Sequence, residues 1–196
     1  MITLDMQQQG ECFTFFSEPD PSAPSVEFEV VLAPGSPGPD PHIHAKQLET
    51  FQVTSGEMVA KLGKEERMVR AGETLVVPAG KVHALRNGSA SEPLVIRITV
   101  EPALNFQWFM TEAARLAISN GGRWKDIPLL DAAYLVHVTR DEHAIPGMPR
   151  FLQYAIFAPL AGLAVLLGRH RKLAPKPSPV RGAPSGPGAP SPGEAV

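Results

Sequence analysis

PHIHAKQLETFQVTSGEM (residues 41–58) and GETLVVPAGKVHALRN (residues 72–87) hold three of the chain's six histidines and decide its fold. In an extended strand, residues two apart project to the same side, so His42 and His44 aim their imidazoles at one point. Glu49 stands five positions beyond His44, an odd offset, and reaches that point only if the strand breaks near Lys46 or Gln47. The rigid Pro78-Ala79-Gly80 turn lets a new strand start beside the first and deliver His83. Four donors then converge from two hairpins. Three neutral imidazoles and a carboxylate suit one divalent transition metal (Fe, Mn, Ni, Co or Zn) better than Ca or Mg, which prefer oxygen shells. The donor set does not choose among those five. An octahedral ion so held keeps two positions for water, dioxygen or a bidentate substrate.

Outward from these segments, Glu11 to Pro102 is a series of short β-rich runs divided by turn residues: CFTFF, VEFEVVL, TFQV, EMVAKL, RMV, TLVVPA, VHAL and LVIRITV. Such spacing predicts a sandwich or barrel, and no βαβ alternation is present. In VEFEVVL, Phe28, Val30 and Leu32 share one face while Glu27 and Glu29 take the other. With 196 residues, 43% of them hydrophobic, the chain can build one ordinary core with length to spare, and its 21 prolines argue against a helical bundle. Net charge is −2, divided between an acidic body and a basic end: after Gly168 there are five Lys or Arg against one acidic residue. The body has no basic, aromatic-interleaved face, so no nucleic acid is expected as a partner. Cys12 is the only cysteine, which excludes an internal disulfide and thiolate metal clusters and fits a reducing compartment. MITLDMQQQG has neither a positive region nor an apolar core, so it does not read as a signal peptide, and a cytoplasmic location is expected.

The two segments resemble the paired signatures of the cupin superfamily. In the first, His42, His44, Glu49 and Gly56 match in order and spacing; only the leading glycine departs, with Ser36 in its place and Gly35 and Gly38 nearby. In the second, Gly72, Pro78, Gly80, His83 and Asn87 all match. The resemblance spans about residues 25–101. It implies an all-β fold, a double-stranded β-helix or jelly-roll barrel, with His42, His44, Glu49 and His83 as metal ligands. Residues 102–172 also look like the helical extension of some single-domain cupins. The glycines, Pro78 and Asn87 are read as builders of turns, without a chemical role.

The expected organisation is a barrel over 1–102, an α-helical extension over 103–172 and a disordered Pro/Gly-rich tail over 173–196. The tail holds seven prolines and four glycines and too little apolar surface to recover the entropy of ordering. Helices are expected near 104–119, 128–140 and 149–168. In the first, Phe106, Phe109, Met110, Ala113, Leu116 and Ala117 form a stripe suited to packing on the barrel. Gln47, Phe51 and Val53 are candidate pocket residues, with core packing the leading role for the two apolar ones. Arg97, within LVIRITV, is a further pocket candidate if it faces inward, although an exposed edge position is favoured. His137 and His143 are assigned surface or capping roles. FLQYAIFAPLAGLAVLLG (151–168) has no charge and is followed by Arg169, His170, Arg171 and Lys172. Packing on the barrel or on a second subunit is favoured over attachment to the cytoplasmic face of a membrane through 151–172. The expected function is that of a metalloenzyme on a small-molecule substrate, of dioxygenase, isomerase or cyclase type. The alternative is a non-catalytic binding or sensing module. Exposed sheet edges make a homodimer the expected assembly.

Overall fold

The computed structural model describes residues 1–178. Its strands are β1 (Ile2–Met6), β2 (Glu11–Phe15), β3 (Val26–Leu32), β4 (Ile43–His44), β5 (Leu48–Ser55), β6 (Glu57–Leu62), β7 (Glu65–Arg70), β8 (Thr74–Val77), β9 (His83–Asn87), β10 (Leu94–Glu101) and β11 (His143–Ala144). Its helices are α1 (Phe106–Ser119), α2 (Leu129–Val138) and α3 (Arg150–Leu166). One sheet has the order β1-β2-β3-β10-β5-β8. The opposing layer contains β7-β6-β9, and β4 joins it through a bridge in which His42 and His83 exchange both backbone hydrogen bonds, at 3.0 and 3.1 Å. Beyond β4 lies β11, paired antiparallel with it. The two layers form a jelly-roll barrel.

Alternation explains the core. In β3, Val26, Phe28, Val30 and Leu32 point inward, and in β10 Leu94, Ile96, Ile98 and Val100 do the same opposite them. Phe15 stacks on Phe28 with ring centroids 4.8 Å apart, and Phe106 closes over Phe28 at 5.4 Å. β1 was not among the expected strands. Its inward residues are Leu4 and Met6, and it completes the sheet by pairing with β2.

The helical layer follows the expected boundaries closely. α1 is sandwiched: Phe106, Ala114 and Ala117 join the barrel core, while Trp108, Ala113 and Leu116 pack with Leu135 of α2. A second tether is the Trp124 indole, which donates to the buried Glu11 carboxylate of β2 at 2.9 Å. The segment from Leu173, expected to lack order, is held at its start. Leu173 packs beside Trp108, the Trp108 indole donates to the Ala174 carbonyl at 3.1 Å, and the Ala174 amide donates to Glu112 at 3.0 Å. Those bonds supply partners that composition alone does not reveal; the rest of the expected tail, 179–196, lies outside the described residues.

Candidate metal centre

β4 ends at His44 and β5 begins at Leu48, so Ala45, Lys46 and Gln47 make the corner that the odd offset to Glu49 requires. Past that corner Glu49, Phe51 and Val53 share the inward face of β5. The donor atoms of His42, His44, Glu49 and His83 all lie within 4.8 Å of one another. Glu49 Oε2 is 2.9 Å from His83 Nε2 and 3.4 Å from His44 Nε2. His44, Glu49 and His83 are buried, and His42 is half-buried at the barrel mouth.

Backbone carbonyls orient two of the rings. His42 Nδ1 lies 2.8 Å from the Asp40 carbonyl, and His83 Nδ1 lies 3.0 Å from that of Lys81. A carbonyl only accepts, so Nδ1 carries the hydrogen in the neutral rings and the Nε2 lone pairs face the centre. Both nitrogens of His44 are buried without a hydrogen-bond partner, a costly state for a polar group unless something else occupies it. These donors fit a divalent cation in number, chemistry and orientation.

Electrostatics agree. Burial, then the neighbouring His83 and His44, lower the His42 pKa to about 4, and burial likewise lowers that of His44. Burial alone would raise the Glu49 pKa, but the hydrogen bond to His83 and the surrounding imidazoles outweigh it and keep the carboxylate ionised. His83 moves the other way: burial is overcome by Glu49, and its pKa rises. The donors are thus near the protonation states a cation needs, with His83 the one that must give up a proton.

The other candidates separate. Gln47 is wholly buried and donates to the Ala103 carbonyl at 3.1 Å, fixing the corner against the start of the helical layer. Phe51 lies inside the barrel, its ring 6.2 Å from that of His83, and Val53 is core. Phe51, Met58, Leu75, Val77 and Leu85 fill the space beneath His83 and leave no room there for a water molecule. Arg97 is not in the pocket. With Ile96 and Ile98 inward it must point outward, where it pairs with Glu27 at 3.3 Å and lies over Phe16; its strand is central, between β3 and β5.

His143 corrects the surface or capping assignment. In an antiparallel pair, opposed residues point to the same face, and His143 is opposite His44 in the β11–β4 ladder. Its ring therefore enters the mouth, 5.3 Å from that of His44, and stacks on Phe109 at 4.5 Å. Both its nitrogens are buried without a partner, and burial followed by the neighbouring His44 lowers its pKa to about 3. His137 remains half-buried beside Tyr154, away from the donors. The parity of His143 is readable only once the two-residue ladder is known.

The model of the Cupin domain family matches residues 28–101. Oxalate oxidase 1 of Hordeum vulgare is 39% identical over 75 residues, spanning 34% of this chain and only 37% of that relative's length. Among solved structures, KdgF from Halomonas sp. is 18% identical, covering 55% of this chain and 91% of its own, with a TM-score of 0.46. Streptomyces PAC13 with uridine is 26% identical, covering 50% and 74%, with a TM-score of 0.41. The family match spans both hairpins that supply the four donors, so residues 28–101 are a cupin domain.

Proposed function

We propose that the chain is a metalloenzyme acting on a small organic molecule with oxygen donors, through oxygenase, isomerase or cyclase chemistry at the four-donor centre. The observation that carries this reading is the convergence of three imidazoles and Glu49 at a barrel mouth that His143 enters from a separate element. A divalent cation held there supplies Lewis acidity and, if it is Fe, Mn, Ni or Co, a redox couple. Glu49 offsets one of its two positive charges. The Asp40 and Lys81 carbonyls hold the His42 and His83 rings in place, and the apolar floor excludes water beneath them. The four donors act on one another electrostatically, and Glu142 acts on His44. A substrate carboxylate would find its counter-charge in the cation, so small chelating acids are the candidates. The relative named oxalate oxidase makes oxalate the first to test.

Elemental analysis of purified protein should find about one divalent metal per chain, and His42→Ala with His83→Ala should abolish it. Stoichiometric metal in the double variant would overturn the assignment. Oxygen uptake and product formation are then measured on metal-loaded protein with small hydroxy, keto and dicarboxylic acids. A binding or sensing role is the second reading, favoured by the β4–β11 ladder, which ties the strand of His44 to the helical layer. Ligand-induced changes in that layer without turnover would select it.

A further inference from the structure

α3 is packed inside out. The residues it buries are Gln153, Ala161 and Ala164, which seat it against α2, while most of its large apolar side chains face away from the protein. Phe151 is 76% exposed, Leu166 82% and Leu167 60%, with Tyr154, Leu163 and Val165 also exposed. Exposed apolar surface on this scale marks a contact surface. At about 1.5 Å per residue, 17 residues make a rod of about 25 Å, short of the roughly 30 Å hydrocarbon core of a bilayer. Among the described residues no helix is long and apolar enough to cross a membrane.

Charge distinguishes the possible occupants. From His143 to Ser178 there is no aspartate or glutamate, whereas Arg150 stands at the start of the helix and Arg169, His170, Arg171 and Lys172 follow its end. Arg169 is engaged by Asp131 at 2.6 Å, while Arg171 and Lys172 are exposed. At the other end, a groove of about 270 Å³ between α2 and α3 is lined by Arg140, Arg150, His137, Tyr154 and Phe151, with Asp141 as its one carboxylate. A second copy laid on this face would bring arginine and lysine against arginine and lysine, with no carboxylate in α3 to pair them. A leaflet of anionic lipid satisfies both features, taking the apolar side chains into its acyl boundary and the cations among its phosphates.

We propose that α3 and the basic turn after it form a docking surface for an anionic membrane, on which the helix lies in the plane of the headgroups without spanning the bilayer. The buried side of the same helix reaches the segment after β11. Gln153 on α3 binds the backbone of Ile145 through both its amide atoms, at 3.1 and 3.2 Å, two residues beyond His143. The test is flotation of the full chain with vesicles of phosphatidylcholine alone or mixed with phosphatidylglycerol. The protein should float with the mixed vesicles and not with the neutral ones. Arg171→Ala with Lys172→Ala should weaken that binding about 25-fold, at about five-fold per cation. Phe151→Glu with Leu166→Glu should abolish it while leaving thermal unfolding and metal content unchanged, because both side chains are exposed. No flotation with anionic vesicles would overturn the proposal. So would a wild-type dimer that this last variant converts to monomer, which would assign the face to a second copy. The test does not depend on catalysis, so the two proposals fail separately.

Discussion

Glu11 is 2% exposed, and only one of its carboxylate oxygens is hydrogen-bonded, to the Trp124 indole. Burial raises its pKa from 4.5 to about 7, against the lowering effect of the Trp124 hydrogen bond. Between those two pH values the folded protein keeps a proton that the unfolded chain releases. Stability is thus full below about 4.5 and falls as the pH rises through 7. At about 1.4 kcal/mol per pH unit, holding the ionised carboxylate in this site costs about 3 kcal/mol at pH 8. Glu11→Gln keeps an acceptor for Trp124 and removes the titration. The variant should match wild type at pH 4 and exceed it at pH 8 by about 3 kcal/mol, a rise in Tm of about 6–12 °C for a chain of this size. Calorimetry of both proteins across that range, with metal content held equal, gives the difference directly. A variant-minus-wild-type gap that stays constant with pH, or widens towards acid, would refute the reasoning.

Three further outcomes follow from the site's surroundings. Gly38 has a φ of +66°, and a Cβ there would sit 2.0 Å from the Leu85 carbonyl oxygen, whereas at Gly35, with a φ of +69°, it would meet nothing. Gly38→Ala should therefore unfold or displace β9 and lose metal, and Gly35→Ala should cost only about 1–2 kcal/mol in denaturant titration; equal costs would show that backbone conformation alone matters. Asn87 donates to the carbonyls of Leu32, Ala33 and Glu92 and accepts from the Ser89 amide, so Asn87→Ala should lower unfolding stability by about 3 kcal/mol. His143→Leu should retain stoichiometric metal by elemental analysis, since its ring is outside the four-donor set; loss of the metal would make it a fifth ligand.

Much of the barrel is legible because strand parity is a local property. His42 and His44 fall on one face by count, and the odd step to Glu49 demands the corner found at Ala45–Gln47. Ser36, which stands where the motif has glycine, is tolerated because the closest backbone approach falls at Gly38 instead. What escapes the sequence depends on distant partners. Two residues are too few for β11 to show a period, and its partner in β4 lies about a hundred positions earlier, so the inward turn of His143 leaves no local trace. Arg97 looks ambiguous by type, yet the two isoleucines flanking it decide its side. The start of the Pro/Gly-rich segment is held by an indole and a glutamate that composition does not register.

The β4–β11 ladder also sets an order of events during synthesis. Every donor has emerged by His83, and β10 is complete at Glu101, but His143 is 42 positions further on. At about 5–20 residues per second, a nascent chain has all four donors and the strand that closes the sheet for about 2–8 s before the element that covers the His44 side exists. During that interval the donor cluster lacks the His143 ring that lies beside His44 in the folded chain. Variants that slow elongation between Glu101 and His143 would lengthen it without changing a single contact in the folded molecule.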